Sequence, residues 1–370
     1  MLAGEVLALV GQERARSFDP PLVAPGGLWP RALRTLRDIQ GRGSAPAVPA
    51  ALRHRAGLAL GRLCYGELKE LALPEGRPTT PDPRLPLAVV GVPALQSAGW
   101  RKALEEHYWC QIAAGPFWSG DDRSEKLKQA QIAQPYRIAR YPVTNADYAR
   151  FLAANGPTGY DPERPWWTDE GRKYLLPGGA RYAEPKGQQI THPRYWSVAR
   201  YHGPLQPVVG VSWYEAAAYC RWLTVEGHTH GWLAAEALIR LPTWHEWERA
   251  ARHTDQRRHP WGAAPPDPER ANYRETQLGA PSPVGCFPLG AAVCHAHDLL
   301  GNVLEWTASP WEQWGQWQED FTQSGRVTLS YTYFNDSTDE LFCGARSRVG
   351  PFYRNNYRGF RVVQSLRAHE

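Results

Sequence analysis

His297-Asp-Leu-Leu-Gly-Asn-Val-Leu-Glu-Trp306 is the stretch around which the rest of the chain can be arranged. Asp298 and Glu305 bracket a Gly-Asn turn, and Trp306 follows at once as an apolar anchor. A hard cation such as Ca²⁺ is held by carboxylate and carbonyl oxygens converging from one short loop. Asp298 and Glu305 would supply side-chain oxygens, and Gly301 and Val303 their carbonyls. On spacing alone the same letters describe a buried turn flanked by surface carboxylates.

Outward from this stretch, 370 residues exceed one ordinary small domain, and a hydrophobic content of 42% is enough to bury a core. The net charge of +5 is spread along the chain. Basic runs such as 255–259 are short and lack interleaved aromatics, so no nucleic-acid partner is expected. No apolar run is long enough to span a bilayer, so no membrane partner is expected either. Met1–Val10 is apolar, but Glu5 interrupts it and no basic residue precedes it. That is not the pattern of a secretory signal, and the expected location is cytoplasmic. Six cysteines lie scattered without a Cys-x-x-Cys pair, which fits free thiols in a reducing compartment. One Met, much Arg and 33 Pro suit a thermophile's protein, although a GC-rich genome gives the same bias.

Residues 28–39 and 50–64 each carry apolar positions at helical spacing, with a Gly/Pro-rich turn between them. They read as a helical hairpin, of the kind a HEAT-type repeat leaves. Prolines 74, 78, 81, 83 and 86 then exclude helix. Leu85–Leu95 reads as a buried strand or a packed loop, and a helix is expected near Ala98–His107. From Trp109 aromatics become dense and helices few. The helices expected there are Thr144–Asn155, Trp213–Leu223 behind Ser212, and Thr243–Arg252. The fold class is α+β with little regular secondary structure, divided as a small helical N-terminal region over 1–107 and a larger domain over 108–365.

Several stretches, taken together, resemble the formylglycine-generating-enzyme/sulfatase-modifying family, which has a C-type-lectin-like fold. They are Gln111-Ile-Ala-Ala-Gly-Pro-Phe-Trp-Ser-Gly120, Tyr141-Pro-Val-Thr-Asn-Ala-Asp-Tyr148, Gln206-Pro-Val-Val-Gly-Val-Ser-Trp213 and Ala217-Ala-Tyr-Cys-Arg-Trp-Leu223. Arg240-Leu-Pro-Thr-Trp-His-Glu-Trp-Glu-Arg-Ala-Ala-Arg252, Pro260-Trp-Gly262, Gly301-Asn-Val-Leu-Glu-Trp306 and Gly359-Phe-Arg-Val362 follow in order. The resemblance implies one structural Ca²⁺ on Asp298, Gly301, Val303 and Glu305. A second calcium segment of the family begins at Asn272-Tyr273, but Gln277–Pro283 contains no carboxylate. Read physically, Trp213, Trp222, Trp261 and Trp306 are expected to fill a core that lacks regular secondary structure, with their indole N–H groups on backbone carbonyls.

The family's oxidases hold copper on two cysteines, at positions that fall near Tyr333 and Thr338 here, and Cys343 stands alone in its region. The iron-dependent sulfoxide synthases of the same family need three histidines, mostly from an N-terminal helical domain, where this chain has only His54 and His107. Neither copper nor iron is therefore expected, and the chain is expected to be non-catalytic.

Residues 341–361 instead resemble the variable region of diversity-generating-retroelement proteins, which use the same lectin-like fold to display a hypervariable ligand-binding surface. Arg346, Arg348, Pro351, Arg354 and Gly359-Phe-Arg361 match fixed positions. The diversified positions would be Ala345, Ser347, Val349, Gly350, Phe352, Tyr353, Asn355, Asn356 and Tyr357. An upstream block would add Tyr331, Tyr333, Asn335, Asp336, Ser337 and Thr338. Tyr gives broad, stiff contact area and Asn and Ser give adaptable hydrogen bonds. The expected partner is a protein or peptide ligand on this face, with an effector protein on the N-terminal region. A metal-dependent oxidase, or an inactive family member serving as an interaction module, is the alternative.

Overall fold

The computed structural model describes residues 28–41, 48–72, 78, 81–122, 126–154, 159–178, 187–311, 326–330, 332–334, 339 and 341–366. The chain begins with α1 (Leu28–Gln40) and α2 (Ala50–Tyr65), the expected hairpin, followed by the short α3 (Leu68–Leu71). Leu85–Leu95 is a packed loop with two 3-10 turns, at Pro86–Val89 and Pro93–Leu95. Prolines at the first position of both turns set φ for a tight turn and withhold a ladder donor, so the strand alternative fails. α4 (Ala98–Ala103) runs through a π turn, Leu104–Tyr108, into the first strand.

This N-terminal region is built into the rest of the molecule. Leu60, Leu63 and Leu68 share a buried cluster with Tyr141, Ala149, Leu205 and Val284. Arg53, wholly buried, donates through Nε to the Cys286 carbonyl at 2.6 Å and through Nη1 to Glu269 at 2.6 Å. Gly57 lets α2 press on the 283–286 segment, because a Cβ there would meet Pro283 at 2.6 Å. The apolar faces of α1 and α2 are thus already covered by this chain.

Three sheets follow among the described residues. β1 (Trp109–Ile112), β4 (Tyr136–Ala139), β10 (Val363–Leu366) and β5 (Ala237–Arg240) lie in that order, all antiparallel. β2 (Gly115–Ser119) and β3 (Lys128–Ile132) form a separate ribbon. β8 (Arg346–Val349), β7 (Arg326–Leu329), β6 (Leu304–Pro310) and β9 (Arg358–Phe360) make the third sheet, in which β6 and β9 run parallel. The last segment of the chain therefore contributes to two sheets and lies between distant elements.

The three longer helices of this part start where the sequence signals them. α5 (Asn145–Leu152), α7 (Trp213–Thr229) and α8 (Trp244–Arg252) each carry a capping box, with Thr144, Ser212 and Thr243 as N-caps paired to Asp147, Glu215 and Glu246. α6 (Asp169–Leu175) is an additional short helix capped by Thr168. The core is aromatic: Trp222, Trp244, Trp247 and Trp306 are fully buried, and Tyr148 stacks on Tyr219 with centroids 5.5 Å apart. Trp306, Trp213 and Trp261 donate their indole N–H to the carbonyls of Val211, Thr307 and Ala264, as expected. Trp222 differs: its indole nitrogen is buried and meets no hydrogen-bond acceptor among the described residues. Among the described residues no helix is long and apolar enough to cross a membrane.

Candidate functional site

The 298–305 loop is made by backbone shape first. Asp298, Gly301 and Asn302 all have positive φ, at 56°, 78° and 66°. At Gly301 no side chain is tolerated, since a Cβ would lie 2.6 Å from the Asn272 carbonyl oxygen. Asn302 then fastens the turn: its Oδ1 accepts from Ser282 N at 2.8 Å and from Asn272 Nδ2 at 3.2 Å.

The four oxygens expected to cage calcium are not arranged for it. Glu305 is a full ion-pair partner of Arg361, which donates Nε to Oε2 and Nη2 to Oε1, both at 2.7 Å. Trp247 adds its indole N–H to Oε2 at 2.8 Å, and both charged side chains are fully buried. Gly301 accepts the Ser330 hydroxyl on its carbonyl at 3.3 Å. Asp298 is the remaining carboxylate, and burial pushes it up to about 7, against a lowering by Arg361. A calcium ion needs several uncommitted anionic and carbonyl oxygens. With Glu305 cancelled by Arg361, this set does not fit one, which corrects the ligand reading. Among the described residues no three His, Cys, Asp or Glu side chains converge as a metal site.

The C-terminal segment builds a second candidate site, a face of polar and aromatic side chains on a locked floor. Arg354 lies in the floor, donating Nε to the Gly210 carbonyl at 3.1 Å, Nη2 to the His192 carbonyl, and Nη2 to Glu215 at 2.9 Å. Glu215 also accepts the Tyr160 hydroxyl at 2.6 Å and caps α7. Arg358 packs 5.0 Å over the Trp306 ring, and burial lowers its guanidinium to about 10. Arg346 lies 4.3 Å over Trp244. Of the arginines at the expected fixed positions, Arg354 and Arg361 are buried and Arg346 is half-buried, whereas Arg348 is exposed; Arg358 was not among them.

Above this floor Tyr353 is 41% exposed, Ser347 is exposed, and Val349, Gly350, Phe352, Asn355, Asn356 and Tyr357 are half-buried. Gly350 and Phe352 are coupled, because a Cβ at 350 would meet the Phe352 ring at 2.7 Å. Ala345 is 0% exposed and cannot touch a ligand, which corrects its place among the surface positions. Tyr333 is also largely buried, with its hydroxyl donating to Tyr201 at 3.5 Å. Tyr331, Asn335, Asp336, Ser337 and Thr338 lie outside the described residues.

The sequence reading missed the wall of this face. Asn356 donates Nδ2 to the Tyr201 hydroxyl at 2.7 Å, and Tyr195 lies edge-on to Tyr201 at 5.6 Å. Phe334, 45% exposed, sits edge-on to Tyr357 at 4.9 Å. The one signal was the mixture of Arg, Tyr and Ser in 194–201, the composition already read as recognition-competent further on. Of the two positions that match copper ligands in the family, Tyr333 is a buried phenol and Thr338 is not described; Cys343 is buried at 0% exposure.

The sequence profile of the sulfatase-modifying factor enzyme 1-like domain matches residues 100–366, more than half of the chain. A stretch of 183 residues is 36% identical to hercynine oxygenase of Mycolicibacterium thermoresistibile, covering 48% of this chain and 36% of that protein. The chain thus spans well under half the length of this relative. Formylglycine-generating enzyme of Bos taurus is 28% identical over 293 residues, covering 68% of this chain and 73% of that protein. Among solved structures, PvdO from Pseudomonas aeruginosa superposes with a TM-score of 0.51 at 23% identity, over 69% of this chain and 93% of that one, which speaks for the fold alone. The two sequence relatives are named as enzymes. That overturns the expectation of a non-catalytic chain, which rested on a missing cysteine pair and histidine triad.

Proposed function

Since the chain belongs to the sulfatase-modifying factor enzyme 1-like family, we propose that it binds a protein or peptide ligand on the face formed by Ser347, Val349, Tyr353, Asn355, Asn356, Tyr357 and Phe334. The wall of Tyr195 and Tyr201 completes the face. The observation that carries this reading is the division of labour within one segment. Arginines at 354, 358 and 361 are buried and committed, while tyrosine, asparagine and serine between and before them reach solvent. Tyrosine loses little conformational entropy on binding for the area it covers, and asparagine adapts its hydrogen bonds. The same division would let exposed letters change without unfolding the scaffold, as diversification by a retroelement requires.

The test is twofold. The DNA beside the gene should carry a near-copy of the codons for 331–361, differing chiefly at adenines, next to a reverse-transcriptase gene. A peptide-display selection on the full chain should yield binders that Tyr353→Ala and Asn356→Ala each weaken at least about ten-fold, the effect of losing a central aromatic or hydrogen-bond anchor. Absence of the near-copy together with binders indifferent to both substitutions would overturn the reading.

That two sequence relatives are named hercynine oxygenase and formylglycine-generating enzyme favours a second reading, an oxidising enzyme, for which we propose a metal-dependent oxidase acting on a thiol-bearing substrate. Copper or iron retained one-to-one through purification, with oxygen uptake on adding a thiol, would support it. The two readings are compatible where the face binds the peptide to be oxidised.

A further inference from the structure

Two cysteines, so far without a role, belong to one cluster, one buried and one partly exposed. Cys110 lies on β1, buried at 3% exposure. Cys294 lies in the loop entering the 298–305 turn, half-exposed between the exposed Val293 and His295. Cys294 packs against the buried cluster that contains Cys110, close enough for each thiol to shift the other's titration. Cys294 sits 3.5 Å from the Ala250 carbonyl, which its S–H meets. The loop is held in place: Ala292 N donates to Ala296 O at 2.9 Å, and His297 N to Arg140 O at 2.8 Å.

We infer that Cys110 and Cys294 form a redox-active dithiol in which Cys294 is the attacking sulfur, and that its reaction partner is a small molecule carrying a disulfide. Cys294 is the partly exposed member of the pair and Cys110 the buried one, the order that attack and resolution require. The electrostatics favour the same assignment. The Cys110 thiol brings the Cys294 thiol down to about 7 despite its burial, helped by the nearby Arg361. Cys110 is pushed up, first by Cys294 and then by burial, with Arg140 and Arg361 opposing. Cys64, Cys220, Cys286 and Cys343 are all pushed up by burial, which makes them inert.

The Cys294 thiolate attacks one sulfur of R–S–S–R, forming a mixed disulfide and expelling RS⁻, which takes a proton from water. Cys110 then loses its proton to water, and its sulfur attacks the Cys294 sulfur, expelling the second RS⁻. Two protein thiols are oxidised and one external disulfide is reduced to two thiols. The product would tie β1 to the loop that leads into β6.

The test treats the full chain with oxidised glutathione and maps peptides by mass. The native protein should lose two hydrogens, gain no lasting glutathione, and show a cross-link between the Cys110 and Cys294 peptides. Cys110→Ser should accumulate one glutathione on Cys294, and Cys294→Ser should give neither product. In the wild type, Cys294 should be alkylated at least about ten-fold faster than the four buried cysteines, with a rate midpoint near pH 7. Adducts spread over several cysteines, or appearing only in denaturant, would overturn the inference. Should Cys110→Ser not fold, the wild-type cross-link and the alkylation profile decide.

Discussion

The two halves of the segment 346–361 obey different rules. In the first, β8 is an edge strand with a single ladder partner among the described residues, and Ser347, Arg348 and Tyr353 are exposed. In the second, Arg354, Arg358, Gly359, Phe360 and Arg361 are all buried. Their partners come from far along the chain: Glu215, Gly210, Trp306 and Glu305. The lesson is that the floor is fixed by ion pairs to other elements, so its geometry does not depend on which side chains decorate the rim.

The largest break in that contrast is Arg361→Ala. It leaves Glu305 charged and buried with only the Trp247 indole as a donor. Removing one partner of a buried pair costs about 3–5 kcal/mol. Urea unfolding of the variant should show a loss of that size or fail to give folded protein. A loss below about 1 kcal/mol, as for an exposed pair, would mean that the floor is not held this way.

Ala345→Tyr tests the boundary from the other side. Ala345 is fully buried beside Cys343 and Gly344, and Gly344 has the Gly120 carbonyl oxygen 1.8 Å from where its Cβ would stand. Overpacking such a site costs about 1–3 kcal/mol or more. A variant as stable as the parent would place position 345 on the rim after all.

How much of this the sequence disclosed depends on how local each signal is. Three capping boxes were readable because Thr144, Ser212 and Thr243 each precede an acidic residue by three positions. α6 escaped because Thr168 is followed at that position by Gly171 and its first turn is charged. The calcium loop was misread for a different reason: Glu305 was matched to its local neighbours, whereas its partner Arg361 stands 56 residues away. The wall escaped in the same way, Tyr201 meeting Asn356 across 155 residues. Fold and caps were legible; pairings across the chain were not.

A smaller effect separates the loop from a calcium site. Asp298 is raised to about 7 in the folded chain by burial, above its unfolded value near 4. The folded state therefore binds the extra proton between those values. Stability from this group is fully present below about pH 4 and is lost as pH rises through 7. Asp298→Asn should flatten that fall, gaining on the parent by about 1–2 kcal/mol at pH 8 relative to pH 5, an allowance well short of the full shift. Urea midpoints at the two pH values measure it. A calcium-bound loop predicts the reverse: a parent stabilised at pH 8 by added Ca²⁺ and an Asn variant that loses this gain.

The smallest expected effect is on the rim. Tyr353 is 41% exposed and its ring lies against Phe352 at 4.8 Å rather than in the core. Tyr353→Ser should shift stability by no more than about 0.5 kcal/mol, as surface changes away from caps and ion pairs do. Its binding of displayed peptides should nevertheless fall by at least about ten-fold, because the rim is where recognition area is lost. Thermal unfolding and peptide binding on the same preparation give both numbers. A stability loss approaching that of Arg361→Ala would make Tyr353 part of the floor. An unchanged affinity would move the ligand off this face and toward the wall at Tyr195 and Tyr201.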